Sequence, residues 1–124
     1  MREGTAIWHK ERDKTDRFVL WASIWDAEQR YARGDFVEDD KRLADFQQLA
    51  KLLQDRAAFR RQAIRSSALD EKALSRFARE TRYGLRVMTI IAKTEHRDFV
   101  RHQMAGMVRS LSGLARNQAK AMVA

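Results

Sequence analysis

The chain has 124 residues, of which 44% are hydrophobic and 34% charged, and 25 Lys+Arg against 17 Asp+Glu give it a net charge of +8. That length suits one core of ordinary size, and the absence of cysteine excludes a disulfide scaffold, a thiolate metal centre and a cysteine nucleophile. With no proline, only five glycines and no apolar run near ~20 residues, collagen-like chains, linker-rich chains and membrane spans are excluded as well.

Apolar residues recur at helical spacing almost throughout, so the expected fold class is all-α. Residues 1–14 are polar, with Trp8 as their one large anchor, and are expected to be loosely ordered. Thr15 or Asp16 caps a first helix over 16–33. Its wide apolar arc carries Phe18, Leu20, Trp21, Ile24, Trp25, Tyr31 and Ala32, and Gly34 ends it. Trp21 and Trp25 share a face, as core residues or as interface anchors. In the loop that follows, Phe36 and Val37 are expected to tuck inward.

Asp39 or Asp40 opens a second helix, where acids suit the helix dipole. Leu43, Phe46, Ala50, Leu53 and Ala57 form its seam, and it reaches Arg65. Ser67-Ala68-Leu69-Asp70 resembles a capping box and starts a third helix over 68–93. Two apolar rows carry through Gly84, which favours one continuous helix over the competing reading of a break there. An interior glycine costs about 1 kcal/mol relative to alanine, so a neighbouring helix is expected to approach closely there. Thr94 is expected to cap a fourth helix over 95–122, with Val100, Met104, Met107, Leu111 and Leu114 as its seam. Gly106 and Gly113 lie beside that seam, where another helix could approach. Four helices with short connections predict an elongated antiparallel bundle forming a single helical domain.

Charge is divided unevenly along this chain. Residues 1–55 carry ten Lys/Arg and twelve Asp/Glu, whereas residues 56–124 carry fifteen and five. The second portion supplies basic helix faces: Arg56, Arg60, Arg61 and Arg65 at the end of helix two; Arg76, Arg79, Arg82, Arg86 and Lys93 on helix three, with Tyr83 among them; and Arg97, Arg101, Arg109, Arg116 and Lys120 on helix four. Basic rows on several helices suit a phosphate backbone, and Tyr83 is placed to stack on a base. No zinc-finger spacing, glycine-rich phosphate loop or base-reading motif occurs, so contacts are expected to be mostly to phosphates, with little sequence preference.

Catalytic and metal constellations are sparse. His96 and His102 lie six positions apart and do not share a helix face for a metal. Glu28 and Glu80 point toward apolar arcs, where an ion pair with an arginine is expected rather than a di-metal site. No metal and no cofactor is expected. The string Arg97-Asp98-Phe99-Val100-Arg101-His102 is similar to the Arg-x4-His motif of HEPN-type ribonucleases, which are all-α and often dimeric. That resemblance, over six residues, implies a composite RNA-cleaving site using Arg97 and His102.

The reading favoured by the sequence is a non-catalytic, cytoplasmic, nucleic-acid-binding helical subunit of a larger nucleoprotein assembly. Its basic portion would follow DNA or RNA, single-stranded or held by the backbone alone. Its near-neutral portion would dock protein subunits or a second copy. The small helical subunits of CRISPR effector complexes play a part of this kind, an analogy of size, charge and helicity. The alternatives are an adaptor or inhibitor that sets its basic face on an acidic protein and, third, a HEPN-like ribonuclease. Membrane-surface binding ranks last, because the basic faces lack a large apolar edge.

Overall fold

The helical spacing is realised as four α-helices and no strand among the described residues: α1 (Arg2–Ala32), α2 (Asp39–Arg65), α3 (Glu71–Thr94) and α4 (Asp98–Val123). This computed structural model describes the backbone of residues 2–66 and 71–123 and the side chains of 11–66 and 71–118. The proposed capping box at 67–70 lies outside them.

Helix α1 starts far ahead of the expected cap. Thr15 and Asp16 are interior positions, and Thr15 Oγ1 donates to the Glu11 carbonyl one turn back. Charge pairs one turn apart, Arg12–Asp16 at 3.6 Å and Arg17–Asp13 at 3.2 Å, support the added turns. Asp13 also lies 2.8 Å from Arg56 Nη1 of α2, which ties this stretch to the bundle. Gly34, at φ 72°, ends the segment as expected, because the left-handed region suits a residue without a Cβ.

Only half of the Phe36–Val37 expectation holds. Val37 is buried and Phe36 is 86% exposed. The chain is extended into Glu38, at φ −62° and ψ 148°, and successive side chains of an extended segment point opposite ways. The fourth helix also starts later than expected. The Thr94 hydroxyl donates to the Ile91 carbonyl inside the last turn of α3, and the first turn of α4 is closed by the Arg101 N–H on the Arg97 carbonyl, 2.9 Å away.

Helices α2 and α3 face one another across the centre. Helix α1 packs on both from one side, α4 packs on both from the other, and α1 and α4 do not meet among the described residues. Pairs of residues give the directions. Tyr31 bonds Asp45 at one end, whereas Asp13 pairs with Arg56 at the other, so α1 and α2 are antiparallel. Arg42–Glu95 and Arg56–Glu80 run α3 against α2, and Arg60–Gln118 sets α4 alongside α2. The fold is therefore an up-down-up-down four-helix bundle. With helices of 24 to 31 residues, it is about 36–46 Å long.

Leu20, Ile24, Phe46, Leu49, Leu53, Val87, Met88, Ile91, Met104 and Leu111 fill one core drawn from all four helices. Gly84 sits where α2 crosses α3. A methyl group there would lie 2.7 Å from Leu53 Cδ2. The close approach explains why α3 carries a glycine without breaking. The small-residue strip of α4 behaves differently. Among the described residues, nothing lies within 4 Å of where a Gly113 side chain would project, and at Gly106 the Arg109 side chain alone comes near.

Candidate nucleic-acid interface

Arg56 and Arg60 are expected from the sequence to face outward, and both are buried. Arg56 occupies the α2 seam, with Nε 2.6 Å from Glu80 Oε1, Nη2 3.0 Å from Oε2, and Nη1 2.8 Å from Asp13. The guanidinium also lies 4.6 Å from the Phe77 ring centroid. Burial opposes the charge, but the bidentate Glu80 contact and Asp13 outweigh it, so the Arg56 pKa stands above its ordinary value. Arg60 donates to Gln118 Oε1 and lies 6.0 Å from the Phe77 ring. Burial pushes its pKa down, against an opposing contribution from Glu80. Neither residue is available to a backbone passing outside.

Two more expected contacts turn toward the protein. Half-buried Arg97 holds Glu95 with Nε at 2.8 Å and Nη2 at 3.0 Å, and lies 3.7 Å from Asp39. Arg101 pairs with Asp98 and reaches the Glu95 carbonyl. Tyr83 fills the groove between α3 and α1, with its ring centroid 5.6 Å from that of Trp21 and Arg82 5.4 Å from its face. Its ring is thus engaged in packing. The Lys120 side chain lies outside the described residues.

The remaining cations are exposed. Arg61 and Arg65 mark the end of α2; Arg76, Arg79, Arg82, Arg86 and Lys93 run along α3; Arg109 and Arg116 stand on α4. Lys72, one turn before Arg76, extends the α3 row and was legible as an i, i+4 neighbour. The α3 row lies opposite Phe77, Gly84, Val87 and Ile91, which face the core. Among the described residues, none of these cations has a carboxylate ion-pair partner. Helices α3 and α4, which carry these rows, pack side by side.

The acids explain why the rows are unneutralised. Within 72–94 the lone acid is Glu80, and it is 1% exposed. After Asp98 there is none. On α1 and α2 several cations are compensated: Arg30 lies 2.9 Å from both Asp26 and Asp45, Lys41 3.0 Å from Asp45, and Arg42 2.8 Å from Asp39. Among the described residues, exposed cations without a carboxylate partner are thus concentrated on α3 and α4, with Arg61 and Arg65 at the end of α2.

A second polar cluster lies at the α3–α4 turn, where Asp39, Glu95 and His96 bring ligand-type atoms within 4.8 Å of one another. Arg42 and Arg97 already bind those carboxylates. Two guanidiniums oppose a further cation there, so the cluster fits an internal ion network better than a metal. The arrangement also bears on the ribonuclease resemblance. Arg97 is committed to Glu95 and Asp39, and His102 Nδ1 meets the Asp98 carbonyl of its own helix at 2.8 Å.

Glu95 is fully buried, and hydrogen bonds from Arg97 and Arg42 overcome its burial to hold its carboxyl at about 2, below the ordinary 4.5. Its contribution to stability is complete above the unfolded-chain value of about 4.5 and is lost as pH falls toward 2. The difference corresponds to about 3 kcal/mol. Urea unfolding of wild type and Glu95→Gln at several pH values is expected to show the stability difference shrinking between pH 5 and 2.5. A difference independent of pH would contradict this role.

No protein-family model matches the chain, and neither a curated protein nor a solved structure shows significant similarity to it.

Proposed function

We propose that this bundle is a non-catalytic nucleic-acid-binding subunit that holds a phosphate backbone along α3 and α4 as part of a larger nucleoprotein assembly. One observation carries the reading: Arg76, Arg79, Arg82, Arg86, Lys93, Arg109 and Arg116 are exposed and without an ion pair among the described residues, while Glu80, the one acid within 72–94, is spent inside on Arg56. Surfaces built only for solubility mix the two signs. A one-signed surface raises the local concentration of a polyanion. Arginine adds a planar fork that fits phosphate oxygens in pairs.

Helical side chains spaced along two rods read no base edges unless one rod enters a groove, and the rods here are packed side by side. Backbone contact with little sequence preference follows. Single strands and duplexes of mixed sequence are therefore both substrates for the test. Engagement of about five phosphates gives a slope of log K against log salt of about −3.5 on a single strand and −4.5 on a duplex. Fluorescence anisotropy is expected to show affinity falling about 100-fold and 500-fold, respectively, between 50 and 200 mM salt. No binding at 50 mM salt, or a slope shallower than about −1, would overturn the reading and leave an acidic protein as the partner to seek.

A further inference from the structure

The outer face of α1 is apolar at its middle. Phe18 is 75% exposed and Trp25 63%, with exposed Ala22 between them and Val19 40% exposed beside them. Phe18, Ala22 and Trp25 follow 4–3 spacing, continued outward by Glu11 and Thr15 on one side and Gln29 on the other. This is a second heptad seam on a helix whose opposite side is already buried in the core. Trp25 is held in place by Trp21, 6.3 Å away, which itself stacks toward Tyr83. A rigid, exposed tryptophan backed by other rings is typical of a binding anchor.

We propose that this face is a homodimer interface, closed by α1 of a second copy lying antiparallel about a two-fold axis at Ala22. The pattern is self-complementary. Glu11 and Arg33 each lie eleven positions from Ala22, on opposite sides. Both are exposed, and neither is ion-paired among the described residues. An axis at Ala22 sets Glu11 against the partner's Arg33 at both ends of the contact. It also sets Thr15 across from the partner's Gln29 and packs Phe18 beside the partner's Trp25. A parallel pair would instead place Glu11 on Glu11 and Arg33 on Arg33.

The small Ala22 at the crossing lets the helices come close. Aromatic side chains of 150–250 Å² each, exposed to these extents, supply on the order of 700 Å² of apolar surface over two copies. With the flanking polar residues the total reaches about 1,200 Å², the lower edge of specific interfaces. The dimer leaves the α4 part of the polyanion face open, because α4 packs on the opposite side of α2 and α3 from α1.

Sedimentation equilibrium at 10–200 µM tests the proposal. Wild type is expected to approach twice 14.5 kDa. Phe18→Ser/Trp25→Ser is expected to stay monomeric with unchanged helical circular dichroism. Glu11→Arg and Arg33→Glu each weaken the dimer about tenfold, as paired surface charges do when reversed, and the double swap restores it. The chain has no cysteine of its own, so Ala22→Cys is expected to yield a disulfide-linked dimer under mild oxidation, and Arg33→Cys is not. A monomeric wild type at 200 µM would overturn the proposal. So would failure of the double swap to rescue, or cross-linking through Arg33→Cys instead of Ala22→Cys.

Discussion

Substituting Arg79→Glu, Arg82→Glu and Arg86→Glu together is expected to weaken nucleic-acid binding at 50 mM salt by about 1,000-fold while leaving the bundle folded. Each lost phosphate contact forfeits the counterions it released, and each glutamate adds repulsion where there was attraction. All three residues are exposed on the outer face of α3, and none holds an ion pair among the described residues. Their replacement removes no buried contact beyond the Arg82 stack on Tyr83. Exposed substitutions of this kind usually move stability by less than about 0.5 kcal/mol. The salt slope of the residual binding should also flatten, by about 0.7 per lost contact on a single strand. Anisotropy titrations and thermal unfolding of the same sample provide both readings. Unchanged affinity would place the polyanion site elsewhere, and loss of the helical signal would place these arginines inside.

The second large effect concerns the pair that sequence alone misplaces. Glu80→Ala is expected to cost about 3–5 kcal/mol, because it strands Arg56 in the core with only Asp13 left to pair. A domain of this size has only about 6–19 kcal/mol in total, so the loss is a large share of it. Replacing both partners by apolar residues, Arg56→Met with Glu80→Leu, is expected to recover most of the loss, since it removes the uncompensated charge together with its counter-charge. Urea unfolding followed by circular dichroism measures both. A cost below about 1 kcal/mol for Glu80→Ala would contradict the buried pair. The double variant carries a further consequence for function. Its salt slope on nucleic acid should equal that of wild type, because Arg56 is not part of the surface.

These predictions trace the limit of what spacing alone can say. Four helices, their antiparallel order and the continuity of α3 through Gly84 were readable from apolar periodicity, because a helix in a bundle must bury one stripe whatever its neighbours are. The exposed row on α3 was readable for the same reason, being the side opposite Phe77 and Val87. Arg56 and Arg60 carried a signal that charge counting overrode. Each lies one heptad beyond a core leucine, Leu49 and Leu53, and so in phase with the buried seam. Arg42 stands one heptad before Leu49 in the same phase and is buried on Glu95.

Sequence by itself determined the class of fold, the helix faces that carry an apolar stripe and the bias of positive charge toward the second half. Only the tertiary structure decided which of those positive charges remain outside. A guanidinium enters a core when a carboxylate waits there, and Glu80, Asp13 and Glu95 arrive from other helices and from the α3–α4 turn, 24 to 53 positions away in the chain. Periodicity along one helix reports the direction a side chain points; the partner that makes burial of its charge tolerable belongs to another segment of the chain.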